Sequence, residues 1–423
     1  MYLLPKRISL LFNQVKMMRS FVSPLHGGLD LEGTERSHRT RTDFEFYPKS
    51  CAIKNGLREE LENHFRGMQI ESQLSLKDAI DICNQMSVEC IKQEELEELL
   101  SLKGYVPICY DGFEPSGRMH IAQGICKAYK VNQLKRMGIS SVMWIADWFA
   151  MLNDKLNGNM ENIRLVGEYF KHVWRASGMD MNAVKFLWAS EEINKNPDLY
   201  WRLVMDISRS FNITRLKRCS EALGRADGDN RPGASLLYPA MQCADIFYIG
   251  ADICQLGLDQ RKINMLAREY CELKSVGARP IILSHHMMPS LAQQGGKMSK
   301  SIPNSAIFME DSAEEVNAKI KSAWCPEKEV CDNPCIAYFE HIVFPMFNTV
   351  TIPRKEKNGG DVIYQCHSEL KQDYLSGNLH PADLKPALAS YINRLLEPVR
   401  IYFRDNPEAN ELARRVAELQ QLK

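Results

Sequence analysis

The chain has 423 residues, above the size at which one hydrophobic core stops growing, so two domains with appendages are expected. Hydrophobic residues make up 45% and charged residues 25%, and 53 basic side chains balance 53 acidic ones, which argues against a polybasic partner surface and excludes collagen, coiled-coil and fully disordered classes. No run of about 18 apolar residues exists, so no spanning helix is expected. The thirteen cysteines are scattered and odd in number, the pattern of reduced thiols in a cytosolic-type compartment.

In chain order, the first 29 residues carry Lys6, Arg7, Lys16 and Arg19 among apolar side chains, with no acid before Asp30. Two readings fit this start: an organellar targeting segment, or a leader upstream of a later start at Met17 or Met18. Residues 27–56 are rich in glycine and charge and read as a linker, so 1–56 is set apart as leader and linker. From Leu57 to Leu102, apolar residues recur at four-residue steps (Leu57, Leu61, Phe65, then Ile82, Met86, Cys90), the spacing of packing helices. Short apolar runs follow at Val106–Tyr110, Val142–Ala146, Lys185–Leu187, Ile246–Phe247 and Ile281–Leu283, with helical patterns between them. Strands alternating with helices predict an α/β fold, a doubly wound parallel sheet of the Rossmann-like, nucleotide-binding kind. Past Pro303 the strand signals fade. The expected division is therefore a catalytic domain over 57–310 with N-terminal helices and a helical domain over 311–423, irregular around Cys325–Pro334 and Pro353–Gly360.

Two stretches carry the chemistry. Pro115-Ser116-Gly117-Arg118-Met119-His120-Ile121-Ala122-Gln123-Gly124 follows a strand and opens a helix. Its small residues Ser116 and Gly117, with Gly112 just before them, let a nucleotide approach the backbone, and a helix N-terminus favours phosphate. His120, expected in the first helical turn, can donate to a phosphate oxygen. Gly295-Gly296-Lys297-Met298-Ser299-Lys300-Ser301 is a glycine-flanked loop whose two lysines suit a mobile polyphosphate clamp. Either stretch alone is weak; the two together, separated by a doubly wound pattern, are specific.

Lys297-Met298-Ser299-Lys300-Ser301 resembles the KMSKS signature of class I aminoacyl-tRNA synthetases, and His120-Ile121-Ala122-Gln123 stands where that family carries HIGH. Ala122 replaces the glycine, and Gln123 replaces the second histidine with an uncharged donor. Tyr238-Pro239-Ala240-Met241-Gln242-Cys243-Ala244-Asp245 and Gly257-Leu258-Asp259-Gln260-Arg261-Lys262 resemble the amino-acid pocket of tyrosyl-tRNA synthetases, closest to the eukaryotic and archaeal branch, over about residues 74–405. The resemblance implies roles. Tyr238, Gln242 and Gln260 would hold the substrate ammonium, Asp245 and Tyr110 its phenol, and Gly257 and Asp259 the ribose. His120, Gln123, Lys297 and Lys300 would stabilise transition-state charge, with Met298 and Ser299 in the ATP-binding loop. Tyr238, Gln242 and Asp245 lie at i, i+4 and i+7 and so share one helical face. A pocket built to bond a phenol rejects phenylalanine by orders of magnitude, as tyrosyl-tRNA synthetases themselves exemplify. No insertion is large enough to be an editing domain.

The implied substrates and partners are L-tyrosine, ATP with Mg2+ on its phosphates, and tRNA(Tyr). A homodimer through the nucleotide domain, a cytoplasmic setting and no membrane contact are implied as well. His380-Pro381-Ala382-Asp383-Leu384-Lys385 resembles the anticodon-reading segment, with Asp383 accepting from a guanine edge, or alternatively capping the helix 384–396. Asn358 stands where relatives carry a stacking aromatic. Cys325, Cys331 and Cys335 have no fourth ligand at zinc-finger spacing, so no metal site is assigned. Asp147, ending a strand, reads as supporting architecture, and His285-His286 as strand-end packing. A tryptophanyl-tRNA synthetase and a non-catalytic tRNA-binding relative are the rival readings.

Overall fold

The run Ser140–Ile145 is buried at all six positions, as only a strand covered by helices on both faces can be. In the computed structural model, which describes residues 56–68, 70–220, 232–275, 279–292, 298 and 304–421, this run is an inner strand, next to one edge, of a six-stranded sheet. Three helices, α1 (Arg58–Arg66), α2 (Leu76–Met86) and α3 (Gln93–Ser101), precede or flank the short strand β1 (Glu89–Ile91). Then come β2 (Ile108–Phe113), α4 (Ile125–Arg136), β3 (Ser140–Ile145), α5 (Asp147–Leu152), α6 (Met160–Ala176) and β4 (Val184–Trp188). Helices α7 (Ala189–Lys195), α8 (Pro197–Ser210), α9 (Ile213–Ser220) and α10 (Ala234–Ile249) lead to β5 (Ile253–Cys254), α11 (Arg261–Leu273) and β6 (Ile281–Ser284).

The spatial order is β1-β6-β5-β2-β3-β4, parallel throughout except for the edge strand β1, which runs against β6. The chain winds outward from β2 to β4, then crosses back to lay β5 on the other side of β2. That reversal makes the carboxyl ends of β2 and β5 the switch point, where open α/β sheets hold ligands. Both starts are pinned from below. Arg58 Nη1 donates to Asp252 Oδ2 at 2.8 Å, and the same oxygen accepts from Ile108 N at 2.7 Å.

Beyond the sheet, α12 (Ala313–Ser322) opens with a capping box between Ser312 and Glu315. Helix α13 (Pro334–Tyr338), a π-turn segment Phe339–Val343 and α14 (Phe344–Phe347) lead to the hairpin β7 (Val350–Ile352) and β8 (Val362–Tyr364). Helices α15 (His367–Ser376), α16 (Pro381–Asp405) and α17 (Pro407–Gln421) complete the described chain. One apolar cluster contains Met119 and Ile121 together with Ile307, Val316, Leu384, Leu388 and Val399, so the core continues past position 310. No helix among the described residues is long and apolar enough to cross a membrane.

Three local expectations give way. Ile246–Phe247 belongs to α10, which is buried on nearly every side, so its apolar run mimics a strand. Glu89–Ile91, inside a stretch read as helical, is a strand because it pairs with Ile282–Ser284. The irregular 353–360 stretch is the connection of a hairpin.

Candidate active site

A cavity of about 1340 Å3 opens at the switch point. Its wall includes Tyr110, Gly112, Ser116, His120, Gln123, Tyr238, Gln242, Asp245, Gly257, Asp259, Gln260 and Met298 from the residues singled out by sequence. Gly117 is not on the wall; its φ of 124° makes it a glycine for backbone reasons. Lys297, Ser299 and Lys300 lie outside the described residues. Asp383 is the third residue of α16, away from this wall, and the helix cap is His380, whose Nδ1 accepts from Ala382 N at 3.0 Å.

The histidine stretch pairs through backbone with residues 307–309, downstream of the second signature stretch. Ile121 N donates to Ile307 O at 2.9 Å and Met309 N to Met119 O at 3.0 Å, bracketing a bridge between His120 and Phe308. The chain leaving the lysine loop is thereby fastened to the histidine turn. His120 accordingly sits before the helix, which starts only at Ile125, and not in its first turn. Gly124 is required by the same contact, because a Cβ there would lie 2.3 Å from Met309 Sδ.

One part of the wall is aromatic and closed. Tyr110 is 1% exposed and Asp245 1%, and burial pushes both their pKa values well above the ordinary range. Asp245 Oδ1 accepts from Tyr200 Oη at 2.7 Å, Oδ2 has no partner in hydrogen-bonding geometry among the described residues, and the Trp144 indole N–H is a second donor facing the carboxyl. Gly112 leaves room for the Tyr110 hydroxyl, since a Cβ would stand 2.9 Å from it. Tyr238 packs edge-on against Phe149 and donates to Glu114 Oε1 at 2.6 Å. Gln242 Nε2 donates to Gln260 Oε1 at 3.3 Å, leaving Gln242 Oε1 without a partner.

Sequence reasoning missed Glu114. Asn153 Nδ2 donates to both its oxygens, at 3.2 and 3.0 Å, and Lys155 Nζ lies 3.8 Å from Oε2. An acid in a tight turn between an apolar strand and a helix was the available signal. Lys127 and Lys130 were missed as well. Lys127 pairs with buried Asp111, whose carboxyl burial pushes up to about 6 against the pull of that lysine. Lys130, one turn further along α4, is driven down to about 7 by burial and by Lys127.

A second part of the wall is rich in histidine. The His286 ring stacks on His341 with centroids 4.1 Å apart, and His367 Nδ1 lies 3.7 Å from Glu340 Oε2. Burial, helped by His286, pushes His341 down to about 4, and burial with Lys130 and Lys127 holds His285 well below its usual value. Asp147 is fully buried, accepts from Ser190 N at 3.0 Å and Ser190 Oγ at 2.6 Å, and pairs with Arg164, which braces the end of β3. Among the described residues, no group of three or more His, Cys, Asp or Glu side chains could hold a metal ion.

A doubly wound sheet whose switch-point cavity is lined by a histidine turn and by Met298 of the Lys-Met-Ser-Lys stretch has the features of a class I aminoacyl-tRNA synthetase. The family model for class I tRNA synthetases of the W and Y type matches residues 103–397. The chain is 52% identical over 335 residues to tyrosine--tRNA ligase 1, cytoplasmic, of Arabidopsis thaliana, which covers 79% of this chain and 87% of that protein. It superposes with TM-score 0.76 and 46% identity on Leishmania major tyrosyl-tRNA synthetase in complex with tyrosinol, covering 82% of this chain but only 52% of that one. Pyrococcus horikoshii tyrosyl-tRNA synthetase complexed with L-tyrosine gives TM-score 0.73 at 34% identity, covering 81% of this chain and 100% of that one. The chain belongs to the tyrosine--tRNA ligases.

Proposed function

We propose that the chain activates L-tyrosine with ATP and transfers it to the 3′ end of tRNA(Tyr). The observation that carries the reading is Asp245. It is a buried carboxyl group on an aromatic cavity wall, with one oxygen engaged from behind and the other without a partner. A phenol fits that oxygen, with Tyr110 as the second group able to bond it. An indole has no phenol oxygen to offer such a pair, which disfavours tryptophan. Tyr238, Gln242 and Gln260 supply neutral oxygens for the ammonium, and Glu114 adds a negative charge through its bond to Tyr238.

In the first step, a tyrosine carboxylate oxygen attacks the α-phosphorus of ATP in line, forming the tyrosyl-adenylate and releasing pyrophosphate. The carboxylate is already ionised, so no general base is needed. Catalysis is positioning plus charge stabilisation by His120, Gln123, Lys297 and Lys300, with Gly112, Ser116, Gly117, Gly257, Asp259, Met298 and Ser299 around the nucleotide. In the second step, the terminal ribose hydroxyl attacks the activated carbonyl and the adenylate leaves. Mg2+ would come with the ATP phosphates, held by their oxygens and by water.

Residues 57–310 carry this chemistry in our reading, and 311–423 read the tRNA, with Asp383 accepting from an anticodon base. Met205, Ile213 and Leu273, on α8, α9 and α11 of the nucleotide domain, where α11 packs against the other two, are 60%, 61% and 59% exposed, which supports a homodimer through this domain. The working compartment is the cytoplasm, with targeting by residues 1–29 a separate question of where the mature chain begins. Lys297→Ala is expected to slow adenylate formation roughly 100-fold or more while leaving the tyrosine KM nearly unchanged. Equal losses in rate and tyrosine affinity would contradict the clamp role.

A further inference from the structure

Asp245 is held from behind by a residue outside every signature stretch. Tyr200, on α8, is fully buried, is absent from the cavity wall, and donates to Asp245 Oδ1 at 2.7 Å. The carbonyl oxygen of Met241 lies 3.2 Å from the same hydroxyl. A tyrosine hydroxyl has one proton, so it serves one of these acceptors at a time, and the second gives that proton an alternative place to point.

We propose that Tyr200 is a positioning residue for tyrosine selectivity: by occupying Asp245 Oδ1 in both protonation states, it keeps Oδ2 a hydrogen-bond acceptor for the substrate phenol. When Asp245 is ionised, Tyr200 O–H donates to Oδ1. When Asp245 takes up a proton, that proton sits on Oδ1 and is donated to Tyr200 Oη, whose own proton turns to Met241 O. One proton is added, no covalent bond in the chain changes, and Oδ2 carries no hydrogen in either state. Without the Tyr200 oxygen, the acid proton is free to settle on Oδ2 and turn the acceptor into a donor.

The groups facing Asp245 are Tyr110 from β2, Trp144 from β3, Tyr200 from α8, and Tyr238 and Gln242 on its own helix. Burial holds all three tyrosines neutral and raises the Asp245 carboxyl above its usual range, so Asp245 is the group among them that gains a proton as pH falls. The inference rests on reading Asp245 as the phenol acceptor. Its particular claim is the role of a residue that never touches substrate.

The test is tyrosine- and phenylalanine-dependent ATP–pyrophosphate exchange, from pH 6 to 9, for the wild-type chain and Tyr200→Phe, with thermal melting to check the fold. The variant is expected to raise the tyrosine KM roughly 10- to 100-fold with kcat within about threefold. Its tyrosine-over-phenylalanine ratio is expected to shrink, most at acid pH, while the wild-type ratio stays flat. An unchanged ratio and pH profile, or a kcat loss with no change in KM, overturns the proposal. A wild-type chain that does not prefer tyrosine overturns the underlying reading of Asp245 instead. A probe that needs no variant is 4-methoxyphenylalanine, which can accept but not donate. Rejection by the wild type at pH 6 as strongly as at pH 9 supports a permanent acceptor, and acceptance at pH 6 contradicts it.

Discussion

The two parts of the cavity wall solve opposite problems. Around Asp245 stand the uncharged Tyr110, Trp144, Tyr200, Tyr238 and Gln242, and two acceptor oxygens, Asp245 Oδ2 and Gln242 Oε1, have no partner in hydrogen-bonding geometry. Around His286 and His341 the wall carries groups whose charge burial suppresses: Lys130 at about 7, His341 at about 4, and His285 well below its ordinary value. In the proposed function, the first part is formed before the substrate arrives and would select by shape and hydrogen bonding. The second would take up charge if a polyanion such as ATP entered beside it, because the anion offsets the desolvation that keeps those groups neutral.

Breaking the first part is expected to have the largest effect. Asp245→Ala should lower kcat/KM for tyrosine roughly a thousandfold and bring phenylalanine close to it, read by pyrophosphate exchange. Gly112→Ala places a methyl group against the Tyr110 hydroxyl and should raise the tyrosine KM about tenfold, read by tyrosine titration of pyrophosphate exchange. The second part should respond to pH instead. Lys130 loses its proton as pH rises through about 7, so the KM for ATP is expected to climb several-fold between pH 7 and 9, and Lys130→Met should flatten that rise. The smallest effect is on stability. A histidine whose folded pKa lies below its usual 6.5 binds fewer protons folded than unfolded, so stability is present above pH 6.5 and falls as pH drops toward 4. His341→Asn should shave a few degrees from the melting-temperature loss between pH 7 and pH 5.

Much of this was legible before any coordinates. Strands buried on both faces read as unbroken apolar runs, so the parallel sheet announced itself at Val142–Ala146 and Ile281–Leu283. Tyr238, Gln242 and Asp245 fall on one helical face by spacing alone. What escaped depended on contacts between distant parts of the chain. Glu114 acquires its role from Tyr238, 124 residues away, and Tyr200 from Asp245, 45 residues away. Tyr200 stands on the buried stripe Tyr200, Leu203, Val204 and Ile207, a placement that by itself says nothing of its hydroxyl. The pairing of the histidine turn with Ile307–Met309 was equally invisible, because two residues of extended backbone leave no pattern. Helix α10 misled for the reverse reason, since apolar residues all round erase the helical period.

The most direct test of the central claim is ATP–pyrophosphate exchange by the wild-type chain with tyrosine, phenylalanine and tryptophan supplied separately. Exchange with tyrosine, exceeding the other two by several orders of magnitude, is the expected result. Exchange with tryptophan at a comparable rate would contradict the Asp245–Tyr110 pocket, whatever the fold.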